Sequence, residues 1–100
     1  MKGIVWGKDL DTAKNKLTNI INNYVLMYNE EIIDEIYCTK NKYFVRFSNG
    51  DEWQAVKVHD ASRGFRCNVS YIDSKIINED MINIIYNSTS AMPFQAFEVY

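Results

Sequence analysis

The most constraining feature of the chain is an apolar repeat near its start. In "KDLDTAKNKLTNIINNYVLMYNEE", residues 8–31, Leu10, Ala13, Leu17, Ile20, Ile21, Tyr24, Val25 and Tyr28 recur at steps of three and four. That spacing puts them on one face of an α-helix. Asp9 or Asp11 offers the side-chain oxygen that caps the first free N–H groups. The apolar face is wide enough to lie flat on a sheet, with Lys14, Lys16, Asn19 and Asn22 or Asn23 directed to water. Such a helix needs a sheet to cover it, and "KGIVWG", punctuated by Gly3 and Gly7, supplies a first strand.

Further along, "KYFVRF" and "EWQAVKV" flank Ser48-Asn49-Gly50-Asp51. Asn-Gly is the preferred pair for a two-residue type I′ turn. With Asn49 and Gly50 as that turn, Phe47 faces Glu52, Arg46 faces Trp53 and Tyr43 faces Val56, and Arg46 lies over the Trp53 ring. "EIYC" before the hairpin adds a third antiparallel strand. Residues 60–68, "DASRGFRCN", read as a polar loop and "VSYID" as a short strand. Asn78 opens a second helix with Glu79 and Asp80 in its first turn, where negative charge is favoured, and with Met81, Ile84 and Ile85 toward the sheet. Ser88 to Pro93 break that helix, and "FQAFEVY" closes the chain as a strand. The order β-α-β-β-β-α-β predicts one small α/β domain over residues 1–100: a twisted mixed sheet, two helices packed on it, and a protruding β-hairpin at 42–58.

Composition limits the function classes. One hundred residues can bury a core without disulfides or metal. Cys38 and Cys67 lack CxxC spacing and nearby histidines, so two buried free thiols are expected and no metal site. No apolar stretch has the length a bilayer requires, and "MKGIVWGKD" lacks the apolar core of a signal peptide; a cytoplasmic protein without a membrane partner is expected. The net charge of −2, with both signs interspersed, argues against a DNA-coating protein.

Few residues offer chemistry. A phosphate-gripping loop needs G-x-x-x-x-G-K-[ST], so that backbone N–H groups, a lysine and a hydroxyl converge on the phosphates. "GIVWGKD" has Gly7-Lys8, but Gly3 leaves only three residues between the glycines and Asp9 stands in place of the hydroxyl. No nucleotide or other cofactor is expected there. Asp73 ends an apolar strand; it either takes a metal or, more plainly, caps the following loop or binds a backbone N–H. Lys57, His59, Arg63 and Arg66 surround Gly64 and suit either an anion or phosphate-backbone contact or a solvated loop. His59 is the only histidine, so a Cys–His pair would need Cys38 or Cys67 beside it, and the spacing gives no reason for that. Trp6, Trp53 and the tyrosines fit a core better than a base-stacking platform.

Taken together, "GIVWGKDLDTAKNKLTNIINNYV", "YFVRFSNGDEWQAVKV", "ASRGFR", "VSYID" and "INEDMINIIY" run in an order that resembles the ATPase core of phage large terminases. The resemblance rests on Ala13 early in the first helix, on Val45, Phe47, Asn49 and Gly50 in the hairpin (Asp51 replaces a serine), on Arg63-Gly64, and on Val69 to Asp73. It departs from the family in two places. The family's first strand and P-loop would precede Met1, and its general-base glutamate corresponds to Ser74. A serine takes no proton from water at neutral pH without a base of its own. The resemblance therefore implies a shared fold without hydrolysis: a non-catalytic phage- or prophage-type protein acting by protein–protein contact. The alternative is a weak nucleic-acid-binding module using the Arg-Gly loop. In the family the strand after the acidic one is covered by the P-loop strand. Without that cover, Phe94, Phe97 and Val99 would stand at an open sheet edge, inviting a partner protein or a homodimer.

Overall fold

The central strand explains the plan of the molecule. In the computed structural model, which describes residues 1–59, 64–90, 92 and 94–100, strand β1 (Lys2–Gly7) pairs in parallel with β4 (Glu52–Lys57) on one side and with β5 (Val69–Ile72) on the other. Gly3 to Gly7 are all buried, as an unbroken apolar run in a sheet covered on both faces should be. The six strands lie in the order β2-β3-β4-β1-β5-β6, with β2 at Ile33–Cys38, β3 at Tyr43–Phe47 and β6 at Ala96–Val99. Only β3 runs against the other five.

Helix α1 (Leu10–Tyr28) starts at Asp9, whose side chain accepts the Thr12 N–H at 2.8 Å. It stops at Asn29, where φ turns to +76°. Its buried residues Ala13, Leu17, Ile20 and Ile21 pack with Val5, Val45, Phe47 and Trp53 on one face of the sheet. Helix α2 (Glu79–Thr89) is capped by the Asn78 side chain, which accepts from the Asp80 and Met81 N–H groups. Its Ile84 and Ile85 cover Ile4, Trp6, Val56 and Ile72 on the other face. Ile4 and Trp6 thus serve one core and Val5 the other, following the strand's two-residue alternation.

The hairpin lies where Asn-Gly places it, but its turn differs from expectation. Arg46 is opposite Glu52, Val45 opposite Trp53 and Tyr43 opposite Ala55. The Gly50 N–H donates to the Phe47 carbonyl at 3.0 Å and the Phe47 N–H to the Asp51 carbonyl at 2.8 Å. Gly50 has φ +95° whereas Asn49 is not in the positive region. This is a three-residue loop ending in a left-handed glycine bulge, not a type I′ turn. Burial selects it. The type I′ register would set Arg46 across from Trp53, which is 3% exposed, and a one-residue slip exchanges the faces of a strand. In the observed register Val45 meets Trp53, while Arg46 pairs with Glu52 and Glu35, each at 3.0 Å. Arg46 therefore does not cover the Trp53 ring. The hairpin is continuous with the sheet, joined to β1 through β4 and extended by β2.

Smaller expectations also change. Lys14 does not point freely to water: its Nζ donates to the Thr39 and Lys40 carbonyls at 2.6 and 3.0 Å, holding the β2–β3 turn against α1. Lys16 lies over the rings of Tyr71 and Tyr100, 5.2 and 5.7 Å from their centroids. Cys38 is exposed, because β2 is an edge strand, and only Cys67 is buried. Tyr28, in the last turn of α1, is half exposed. Ser88 does not break α2 but lies within it, and the helix ends at Thr89. Pro93 and residues 60–63 of the polar loop fall outside the described residues.

Candidate functional site

After β1 the chain enters α1 on one face of the sheet, and after β5 it turns into α2 on the other. Where neighbouring parallel strands send their connections to opposite faces, a crevice opens at their carboxyl ends, the usual ligand position in open α/β sheets. Here Asp73 fills it. The Asp73 carboxylate accepts the Lys8 N–H through Oδ2 and the Lys75 N–H through Oδ1, both at 3.0 Å, and the residue is 3% exposed. Its own N–H donates to the Trp6 carbonyl at 3.0 Å, which also accepts the Tyr100 hydroxyl at 2.9 Å. The backbone-binding role expected for Asp73 is thus the observed one, and its two partners come from both sides of the crevice.

The glycines near this crevice serve packing. A Cβ on Gly7 would stand 2.3 Å from the Asp9 carbonyl oxygen and 2.9 Å from Ala13 Cβ, so Gly7 lets α1 close onto β1. A Cβ on Gly3 would fall 2.4 Å from the Trp53 ring. At the rim, hydrogen bonds from Thr12 hold the Asp9 carboxyl below the usual carboxylate range, with Lys75 and Lys57 adding to the effect by their charge. Ser74 is exposed beside Asp73, and its N–H donates to the Tyr100 carbonyl at 2.8 Å.

The basic residues singled out from sequence are divided between two places. Lys57 ends β4, and His59 follows it at the carboxyl end of the parallel strands. Arg66 lies ahead of β5, at the opposite end, lining a hollow with Lys2, Gly3 and Glu52. Arg63 falls outside the described residues. Cys67 Sγ sits 3.3 Å from Ser70 Oγ and 3.5 Å from Ser88 Oγ, and Cys38 is exposed on the β2 edge. Among the described residues no cluster of three or more His, Cys, Asp or Glu side chains could hold a metal. No helix among them is long and apolar enough to cross a membrane.

Two features were not evident from sequence. One is a buried polar chain in which Trp6 Nε1 donates to Ser70 Oγ at 3.0 Å and Ser70 touches Cys67; its only sequence signal is a serine inside the apolar strand "VSYI". The other is a hollow of about 540 Å³ on the α1 face, lined by Lys16, Tyr24, Asp51, Trp53, Tyr71 and Glu98 among others. Its polar groups engage one another: Trp53 Nε1 donates to the Tyr24 hydroxyl at 3.2 Å, and that hydroxyl donates to Asp51 at 2.8 Å. At the end of the sheet, Phe94, Phe97 and Val99 are all exposed. The Phe97 ring stands edge-on against Tyr86 at 5.1 Å, and no described strand pairs with the outer side of β6.

No protein-family model matches this sequence, and no curated protein aligns with it significantly. Solved structures do share its fold. The large terminase of a thermophilic bacteriophage in complex with ADP superposes with a TM-score of 0.66 at 11% identity, over 98% of this chain and 25% of the terminase. A second crystal form of the same terminase gives 0.66 at 9% identity with the same coverage. A further structure of it gives 0.61 at 10% identity, covering 98% of this chain and 24% of the other. The chain therefore spans about a quarter of the length of these terminases and has the fold of that portion.

Proposed function

We propose that this chain is a non-catalytic, phage- or prophage-type binding protein that carries a terminase-like core and acts through protein–protein contact. The state of Asp73 is the observation that carries the first part. In a nucleotide-hydrolysing core the carboxylate at this strand end helps to hold magnesium. Here both of its oxygens accept backbone N–H groups, and the neighbouring position is Ser74. These residues do not fit a magnesium-nucleotide complex. The ADP of the phage terminase belongs to that protein. Contact with protein is supported by the two sheet edges, which differ. The β2 edge carries Asp34 and Glu35 and a register irregularity between Ile33 and Glu35, devices that discourage strand addition. The β6 edge has Glu98 as its single charge.

The test is magnesium-dependent ATP turnover by the purified protein. None is expected, and adding the acid with Ser74→Glu should create none, since residues 1–100 contain no G-x-x-x-x-G-K-[ST] loop to grip the phosphates. Turnover that vanishes in Asp73→Ala would overturn the proposal. A second reading is weak nucleic-acid binding through the basic residues Lys57, Arg63 and Arg66 around the Arg-Gly loop. It requires DNA or RNA affinity that falls steeply with added salt; a protein contact made by apolar side chains does not behave that way.

A further inference from the structure

Helix α2 covers only part of the sheet face opposite α1. We infer that the rest of that face, over β2, β3 and β4, binds single-stranded nucleic acid by stacking bases on Tyr37 and Phe44. This goes beyond the protein-contact reading, and it uses a surface other than the Arg-Gly loop.

The two faces of the sheet differ along the same strands. On β3, Val45 and Phe47 look toward α1 and are 0% and 1% exposed, whereas Phe44 and Arg46 on the other face are partly exposed. Ile84 and Ile85 of α2 pack with Ile4, Trp6, Val56 and Ile72, a core to which no described residue of β2 or β3 belongs. One row of side chains crosses the uncovered strands: Tyr37 is opposite Phe44, and Phe44 is opposite Gln54. The next row is Glu35, Arg46, Glu52 and Lys2. A face built for a further protein layer would be apolar, as the α1 face is. A helix laid here would take these charges out of water at a high cost. They belong to the strands themselves, whatever segments flank them.

The face suits a chain of phosphates that carries flat rings. Lys42 Nζ lies 5.5 Å from the Tyr37 ring centroid and 6.0 Å from that of Phe44, and the Arg46 guanidinium lies 5.6 Å from Phe44. Phe44 lines a hollow of about 420 Å³ with Tyr37, Lys42 and Arg46. It also lines one of about 190 Å³ with Lys2, Lys42, Gln54 and Arg66. Among the described residues, four cations and two acids line the two hollows. Both acids, Glu35 and Glu52, pair with Arg46, so a phosphate chain meets Lys42 and Lys2, with Arg66 beside them. The net charge of −2 is that of the whole chain; this face has the opposite sign. A base stacked on an exposed ring gains more than a solvated ammonium over the same ring. On binding, Lys42 therefore leaves the rings for a phosphate and a base takes its place. Directly opposed side chains on neighbouring strands are close enough to receive successive bases, and sheets that bind single strands use aromatic residues in this way.

The probes are fluorescein-labelled oligothymidylate and oligouridylate of about a dozen nucleotides, followed by anisotropy at low salt. Binding of either is expected, tighter than that of a duplex, whose bases are already stacked on one another. It should weaken with salt at a log–log slope of about −2, as three phosphate contacts on a single strand give. Tyr37→Leu and Phe44→Leu keep apolar surface but remove the ring, and each should weaken binding about tenfold with the slope unchanged. Lys42→Gln should make the slope shallower. Tyr37 is 51% exposed on an edge strand, so its variant tests the platform even where Phe44→Leu loses the fold by circular dichroism. Absence of binding by the wild type, equal binding of polyglutamate, or full affinity in Tyr37→Leu overturns the inference. So does affinity lost in Arg63→Ala and kept in both ring variants, which would assign binding to the Arg-Gly loop. None of these results bears on ATP turnover, so the non-catalytic reading stands or falls by its own assay.

Discussion

Lys8 donates its backbone N–H to the carboxylate of Asp73 at 3.0 Å, so the first β–α turn is tied to the end of the acidic strand by a side chain that in a motor protein would face metal. The same carboxylate takes the Lys75 N–H. Asp73 is in this respect a staple between β1 and β5.

The staple has a measurable strength. Asp73→Ala leaves two backbone donors without their acceptor in a partly buried place. Hydrogen bonds to a charged group contribute about 1.5–3 kcal/mol each, so a loss on the order of 3 kcal/mol is expected in denaturant unfolding. Asp73→Asn keeps one acceptor and should cost less. Equal stability of Asp73→Ala and the wild type would show that the carboxylate does not tie the strands.

Gly50 tests the hairpin loop separately from packing. A Cβ there would meet nothing within 4 Å, so a substitution acts through backbone conformation alone, at φ +95°. Gly50→Val should destabilise by about 1–2 kcal/mol, and Gly50→Asn by clearly less, because asparagine tolerates this region better. Equal melting temperatures for Gly50→Val and Gly50→Asn would contradict the left-handed bulge.

Much of the architecture was legible because it is local. The three- and four-residue steps of α1, the Asn78 cap and the turn at Asn49-Gly50 are each written within a few neighbouring residues. What was not legible depends on pairing between distant segments. The hairpin register follows from which residues the core accepts, Val45 and Trp53, and not from the turn dipeptide. Lys14 and Lys16 read as solvated until β2–β3 and the tyrosines of β5 and the C-terminus are brought beside them. At the site, a backbone-binding Asp73 could be read from its place at a strand end. Its Lys8 partner could not, since that contact exists only once β1 and β5 are neighbours. The basic residues look like one cluster in sequence, yet Lys57 follows the end of one parallel strand and Arg66 precedes the start of another, which puts them at opposite ends of the sheet.

The Trp6–Ser70 bond gives a third test, inside the α2-side core. Both residues are fully buried, and Ser70 Oγ accepts the indole N–H. Ser70→Ala removes little volume but strands that donor, a loss of about 1–3 kcal/mol. A Trp6→Phe, Ser70→Ala double variant removes both polar groups and should recover part of the deficit that simple addition of the two single losses would give. Strict additivity would show that the two side chains are not coupled.

Tyr24 predicts how the fold responds to alkali. Burial, opposed by the hydrogen bond from Trp53 and reinforced by Asp51, pushes its hydroxyl up to about 12 from an ordinary value of 10.0. Tyr100 shifts in the same direction, through burial first and then the charges of Asp73 and Asp9. The sign follows from proton counting. Between pH 10 and about 12 an unfolded tyrosine has lost its proton while Tyr24 in the folded chain keeps it; the folded state then binds more protons, and stability falls as pH rises. The contribution is complete below pH 10 and gone above about 12. Denaturant unfolding at a series of pH values should therefore show a decline in that window. Tyr24→Phe should be less stable at neutral pH, because Trp53 Nε1 and Asp51 each lose a partner, and should show a shallower decline in alkali. A decline equally steep in Tyr24→Phe would assign the alkaline loss to Tyr100 and the other tyrosines instead.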